Sequence, residues 1–144
     1  MIAIDTSLLV YAHRAGSDEH GAARRAIERA AGAREGWGVA LGSVTEFWSV
    51  VTHPRMPGRP STPEEAAAFL DVLVREAGAA VWSPGEGFES RLVPLASRMG
   101  VRGARIFDLQ IGLTALEGGA REIWTHDGGF VPVPGLRVRD PLAP

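Results

Sequence analysis

Met1-Ile2-Ala3-Ile4-Asp5-Thr6-Ser7 opens the chain, and its reading decides the fold. Apolar residues lead into an acid and two hydroxyls, and a second apolar run, Leu8-Leu9-Val10-Tyr11, follows. A short unbroken apolar run closed by polar residues is the pattern of a buried strand in a parallel sheet. An Asp at the tip of such a strand carries charge to a place where no standard structural job awaits it.

Working outward, residues 7–12 read as a short helical turn. Ser17-Asp18-Glu19 predicts a helix start, with Ser17 as cap and acids in the first turn. Ala23, Ala26, Ile27 and Ala30 form that helix's apolar stripe, Gly32 its stop, and Arg24 and Arg25 a solvated face. Residues 37–41 read as a second strand that turns through Gly42-Ser43 into a helix ending at Thr52. Its core stripe is Val44, Phe47, Trp48 and Val51. Residues 53–60 form a Pro-rich connector without periodicity. Thr62-Pro63-Glu64-Glu65 combines a cap, Pro at the first helical position and Glu at the third. The stripe Ala66, Phe69, Leu70, Leu73, Val74, Ala77 continues that helix to Gly78. Residues 79–82 read as a third strand, 86–99 as a helix, 100–105 as a Gly/Arg loop and 106–117 as a helix. Residues 122–125 form a fourth strand, Gly128-Gly129 a tight loop and 136–139 a short edge strand. This alternation predicts a three-layer α/β/α sandwich around a mainly parallel five-stranded sheet, in a single domain spanning 1–144.

Composition narrows the chemistry. The absence of cysteine excludes disulfide scaffolds and thiolate metal sites. With no basic segment ahead of an apolar one and no membrane-length apolar run, the sequence predicts a cytoplasmic protein without signal peptide or anchor. The 15 cationic positions are all Arg. Without Lys there is no Walker A loop, and no signalling receiver of the kind that needs a lysine near its last strand beside paired acids. Phosphatases of the Asp-x-Asp type fail because Ser7 stands at the second acid's position. The formal net charge is −2, so setting four acids aside leaves the rest of the surface at +2, all of it carried by phosphate-gripping guanidiniums.

Those four acids are Asp5, Glu46, Asp108 and Asp127. In open parallel sheets, ligands bind beyond the carboxyl ends of the strands, where strand order reverses. If strands two and three extend one way from strand one, and four and five the other, Asp5 and Asp127 become neighbours. Glu46 and Asp108, each in the first turn of a helix, reach the same rim. Clustered carboxylates raise one another's pKa, and divalent metal relieves them. All-oxygen ligands favour Mg2+ or Mn2+ over zinc, and such ions drive phosphodiester hydrolysis. Each acid also has a structural reading. Ser43-Val44-Thr45-Glu46 is a capping-box pattern, Asp108 suits a helix dipole, and Asp127 precedes a Gly-Gly turn. Asp108, Gly112 and Ala115 share a face small enough to lie close to the sheet. Thr6, Ser7 and Thr125 adjoin the acids as supporting hydroxyls. Arg102 and Arg105 are candidates for phosphate contact. The four histidines lack metal-ligand spacing and read as non-catalytic, and the four tryptophans as core.

These residues carry a family resemblance. Residues 5–12 resemble the opening of a PIN domain. Thr45-Glu46-Phe47-Trp48, with Val51-Thr52-His53-Pro54-Arg55, resembles the second signature of VapC-type toxins. Arg105-Ile106-Phe107-Asp108-Leu109-Gln110-Ile111 is similar to the third, and Trp124-Thr125-His126-Asp127-Gly128-Gly129-Phe130 to the closing Thr-x-Asp-x-x-Phe element. The resemblance implies a ribonuclease dependent on Mg2+ or Mn2+, neutralised by a small cognate antitoxin and commonly dimeric. It carries the catalytic and metal-binding roles onto Asp5, Glu46, Asp108 and Asp127, and the accompanying hydroxyls onto Thr6 and Thr125. Many relatives have a further Asp where this chain has Gly129, a departure that bears on the second metal position. A housekeeping RNA-processing nuclease of the same fold is the competing expectation.

Overall fold

The computed structural model describes residues 1–144. Its five strands are β1 (Ile2–Ile4), β2 (Trp37–Ala40), β3 (Ala80–Trp82), β4 (Glu122–Trp124) and β5 (Arg137–Arg139). They form one sheet in the order β3-β2-β1-β4-β5, and every adjacent pair is parallel. The chain winds outward from β1 in one direction and then in the other, so the order reverses between β1 and β4.

The helices are α1 (Thr6–His13), α2 (His20–Ala31), α3 (Leu41–Val51), α4 (Pro63–Asp71), α5 (Phe88–Met99) and α6 (Arg105–Glu117). Strand periodicity sorts them into two layers. Ile2, Ile4, Val39 and Trp124 join the core cluster built with residues of α1, α2, α3 and α4. Their neighbours Ala3, Ala40 and Ile123 face the other way, into the cluster built with α5 and α6. Alternate residues of one strand thus serve opposite layers, which makes the central strands apolar throughout. Gly38 in β2 is required by a close approach: a Cβ there would stand 2.5 Å from the Ala80 carbonyl oxygen and 2.9 Å from the Trp82 ring.

Several local expectations are corrected. The second helix begins at His20 rather than Ser17, because the Ser17 hydroxyl donates back to the Arg14 carbonyl at 2.9 Å and leaves the helix uncapped. In α3 the helix starts at Leu41, so Ser43 lies inside it, fully buried, and no capping box forms. By contrast, α4 carries the predicted box: Glu65 N donates to Thr62 Oγ1 and Thr62 N to Glu65 Oε1, each at 3.1 Å. After Asp71 that helix widens into a π-helical turn, Val72–Glu76, closed by Ala77 N to Val72 O at 3.0 Å. The wider turn rotates the stripe, leaving Leu73 buried but Val74 42% exposed. Trp48, predicted as core, is 38% exposed, whereas Trp37 and Trp124 are buried. Gly112 does allow close packing, but against Val133 of the segment before β5 rather than the sheet. No helix is long and apolar enough to cross a membrane.

Candidate active site

Asp5 sits where β1 becomes α1. Its extended backbone (φ −82°, ψ 161°) occupies the cap position, yet its side chain caps nothing. The carboxylate is instead buried and engaged across the sheet. Thr125 Oγ1, just past β4, donates to Asp5 Oδ2 at 2.7 Å. A hydroxyl has one proton, so Thr125 is an acceptor in its other contacts. It accepts from Asp127 N at 3.1 Å and pairs with Ser7 Oγ at 3.2 Å, which makes Ser7 the donor of that bond. Ser7 in turn accepts from His126 N at 3.0 Å. The Ser7–Thr125–Asp5 relay locks the tips of the two strands at the reversal point.

The remaining acids come from three other segments. Glu46 extends from α3. It is not spent on capping, since the α3 cap residue, Ala40, has no side-chain bond and Ser43 Oγ has no partner. Asp108 lies in the first turn of α6, where Asp108 Oδ2 accepts from Val131 N at 3.3 Å. Asp127 takes the Gly129 amide on Oδ1 at 2.9 Å, an Asx-type turn of the kind expected before Gly-Gly. All four acids, with Thr6, Ser7, Val10, Tyr11 and Val50, line one cavity of about 260 Å3.

As the side chains stand, no three of these carboxylates form a ready-made metal cluster. Two of them are bridged by Arg105, the first residue of α6. Its Nη1 donates to Asp108 Oδ2 at 2.9 Å and to Asp127 Oδ2 at 2.8 Å. Sequence reasoning places Arg105 in a loop beside the cleft as a phosphate contact and misses this role. Its i,i+3 spacing to Asp108 is the available signal. Arg102 is exposed and lies away from the cavity lining.

The electrostatics follow from burial and neighbours. Desolvation pushes the Asp5 carboxyl up to about 6; the Thr125 hydroxyl and Thr6 amide pull against it, while Glu46 and Asp108 add to the rise. Asp127 is held below the ordinary carboxylate range, chiefly by Arg105 and then by the Gly129 amide. The Arg105 guanidinium is correspondingly raised. A hard divalent cation suits this pocket in its chemistry: every acidic donor is oxygen, and Asp5 is costly to ionise without a counter-charge. The buried hydroxyl of Thr6, on the same cavity wall, has no hydrogen-bond partner.

His126 lies beside the pocket but turns its ring to Asp140, with Nδ1 to Oδ2 at 2.9 Å, and meets Tyr11 edge-on. His13 meets the stacked pair Phe47–Phe69 edge-on and bonds Ser61 Oγ at 2.8 Å. The guanidiniums of Arg29 and Arg139 each lie over the Trp124 ring, at 5.7 and 5.4 Å from its centroid.

The chain is a parallel α/β/α sandwich whose strand-order reversal carries a pocket lined by four acids from separate segments. Comparison makes the class specific. A family model described as "PIN domain" matches residues 2–136. The chain is 34% identical over 142 residues to VapC ribonuclease Mb2897 of Mycobacterium bovis, covering 99% of this chain and 96% of that protein. It is 32% identical over 149 residues to ribonuclease VapC48 of Mycobacterium tuberculosis, covering 96% of each. Among solved structures, VapC20 of Mycobacterium tuberculosis, a sarcin-ricin loop cleaving toxin, superimposes with TM-score 0.68 at 21% identity, over 92% of this chain and 98% of that one. VapBC2 from Rickettsia felis, bound to a DNA fragment from their promoter, gives 0.64 at 18% identity over 97% of this chain and 98% of that one. The chain therefore belongs to the PIN-domain family, in its VapC ribonuclease branch.

Proposed function

We propose that the chain is a metal-dependent endoribonuclease, the toxin of a toxin–antitoxin pair, hydrolysing RNA phosphodiester bonds with the aid of Mg2+ or Mn2+. The observation that carries this reading is one cavity lined by Asp5, Glu46, Asp108 and Asp127, drawn from four separate segments of a VapC-type chain. When bound, the metal supplies Lewis acidity and an activated water. The rest falls to the chain's own groups. Asp5, Glu46 and Asp108 hold the ion, and Asp127 closes the rim. Ser7 and Thr125 fix the Asp5 carboxylate through their relay, and Thr6 next to it keeps a buried, unpaired hydroxyl. The exposed nitrogens of Arg105, with Arg102 further out, meet RNA phosphate.

Structured RNA is the substrate class favoured by the likeness to VapC20, which cleaves the sarcin-ricin loop, and a small cognate antitoxin is favoured by the likeness to VapBC2. A homodimer in the cytoplasm completes the proposal. It is supported by the exposed apolar side chains Leu41 and Trp48 on α3 and Phe107 on α6.

The test is cleavage of a structured RNA by protein freed of contaminating nuclease. Activity that needs Mg2+ or Mn2+ and vanishes in Asp5→Asn supports the reading; equal cleavage by Asp5→Asn ends it. Growth arrest on induction, relieved by a short neighbouring gene product, separates a toxin from a housekeeping nuclease.

A further inference from the structure

We infer that Arg105 is the resident cation of the acid pocket, a positioning residue that clamps Asp108 to Asp127 over Gly129 and confines divalent-ion binding to one ion on the Asp5–Glu46 side. This rests on the proposed metal-dependent reading of the pocket.

An inventory of carboxylate oxygens supports it. Both Asp127 oxygens are engaged: Oδ1 takes the Gly129 amide and Oδ2 takes the Arg105 guanidinium. Asp108 Oδ2 is shared between Arg105 and the Val131 amide. Asp5 Oδ2 takes Thr125. What stays available is Asp5 Oδ1, both oxygens of Glu46 and Asp108 Oδ1. Beside them stands Thr6, 4% exposed, whose hydroxyl has no partner and whose residue lines the cavity. Drawn together around one hard cation, those carboxylate oxygens would form part of its shell and water would complete it.

The clamp also has its own steric requirement. A Cβ built on Gly129 would collide with Arg105 Nη2, so the guanidinium occupies the ground that a side chain at position 129 would take. The glycine and the arginine are two halves of one arrangement. Where position 129 carries no acid, a fixed positive charge neutralises the Asp108–Asp127 pair instead of a second metal.

Mn2+ binding to the purified protein, counted by calorimetry and by the loss of free-ion paramagnetic resonance, tests this. The native protein is expected to take one ion per chain. Arg105→Gln is expected to take a second, or to bind the first about tenfold more tightly, because a positive charge has left the pocket. Arg105→Lys, which keeps the charge, is expected to stay at one. Melting adds a readout that a merely structural arginine would not give: Arg105→Gln melts lower without metal but gains more from Mn2+ than the native protein does. Should Arg105→Gln fail to fold, Gly129→Ala decides, since it keeps the arginine and displaces its guanidinium, and the same gain is expected. One ion at native affinity in the folded variant overturns the inference and leaves the nuclease reading intact. Native-like Mn2+ binding by Asp5→Asn overturns that reading itself.

Discussion

Thr125 Oγ1 donates to Asp5 Oδ2 at 2.7 Å, joining residues 120 positions apart through a buried bond. The same oxygen accepts the Asp127 amide, so one hydroxyl orients two of the acids. Thr125→Val keeps the shape and removes the bond. RNA cleavage measured as kcat/KM is expected to fall about 10- to 100-fold, the usual effect of losing a group that orients a metal-binding carboxylate. Chemical denaturation is expected to show a loss of about 1–3 kcal/mol, because Ser7 and the Asp127 amide lose their partner. Thr125→Ser is expected to recover most of both.

Asp5 gives a pH dependence whose sign is fixed. Its carboxyl rises from 3.8 to about 6 on folding, so between those values the native state binds the extra proton. Its contribution to the stability of the metal-free protein is therefore intact below 3.8 and is lost as pH climbs through about 6. Asp5→Asn removes that penalty. The metal-free variant is expected to be more stable than the native protein at pH 7.5 by about 2–3 kcal/mol, and equal or less stable near pH 4. Denaturant titrations at the two pH values check this. Mn2+ affinity is expected to rise with pH across the same window, as the ion displaces the proton.

Glu46 separates function from stability. It makes no capping bond in α3, so the fold does not depend on its charge. Glu46→Gln is expected to melt within about 0.5 kcal/mol of the native protein. RNA cleavage and Mn2+ binding are both expected to drop at least about tenfold. A large loss of stability in this variant would return Glu46 to a structural role.

Gly118 lies under the Trp82 indole, and a Cβ there would run into the ring. Its φ of −76° is ordinary, so any cost of substitution comes from the collision alone. Gly118→Ala is expected to destabilise by about 1–3 kcal/mol, the range for overpacking a closed contact. A thermal melt measures it, and Trp82→Leu in the same background is expected to restore part of the loss.

The sheet order is legible from β1 and the spacing of the apolar runs, because alternating strands and helices admit few right-handed windings. Once that order stands, Asp5 and Asp127 have to be neighbours. The start of α3 is less legible. Ser43 and Glu46 fit a capping box as written, but tertiary packing draws Ser43 into the core and begins the helix three residues earlier. Trp48 reads as core by period, yet stands on the exposed side of α3. The clamp of Arg105 on Asp127 joins residues 22 positions apart, and only the packed loop over Gly129 brings them together.

The central position of β1 has a consequence for biosynthesis. β1, made before the other strands, waits for its second flanking partner through most of the chain, because β4 begins only at Glu122. A ribosome adding about 5–20 residues per second leaves the early segment waiting for several seconds. During that interval Asp5 has neither Thr125 nor Asp127 beside it. The four-acid pocket is assembled only after residues 122–127 have left the exit tunnel, so a chain not yet translated that far has Asp5 without its neighbours across the sheet.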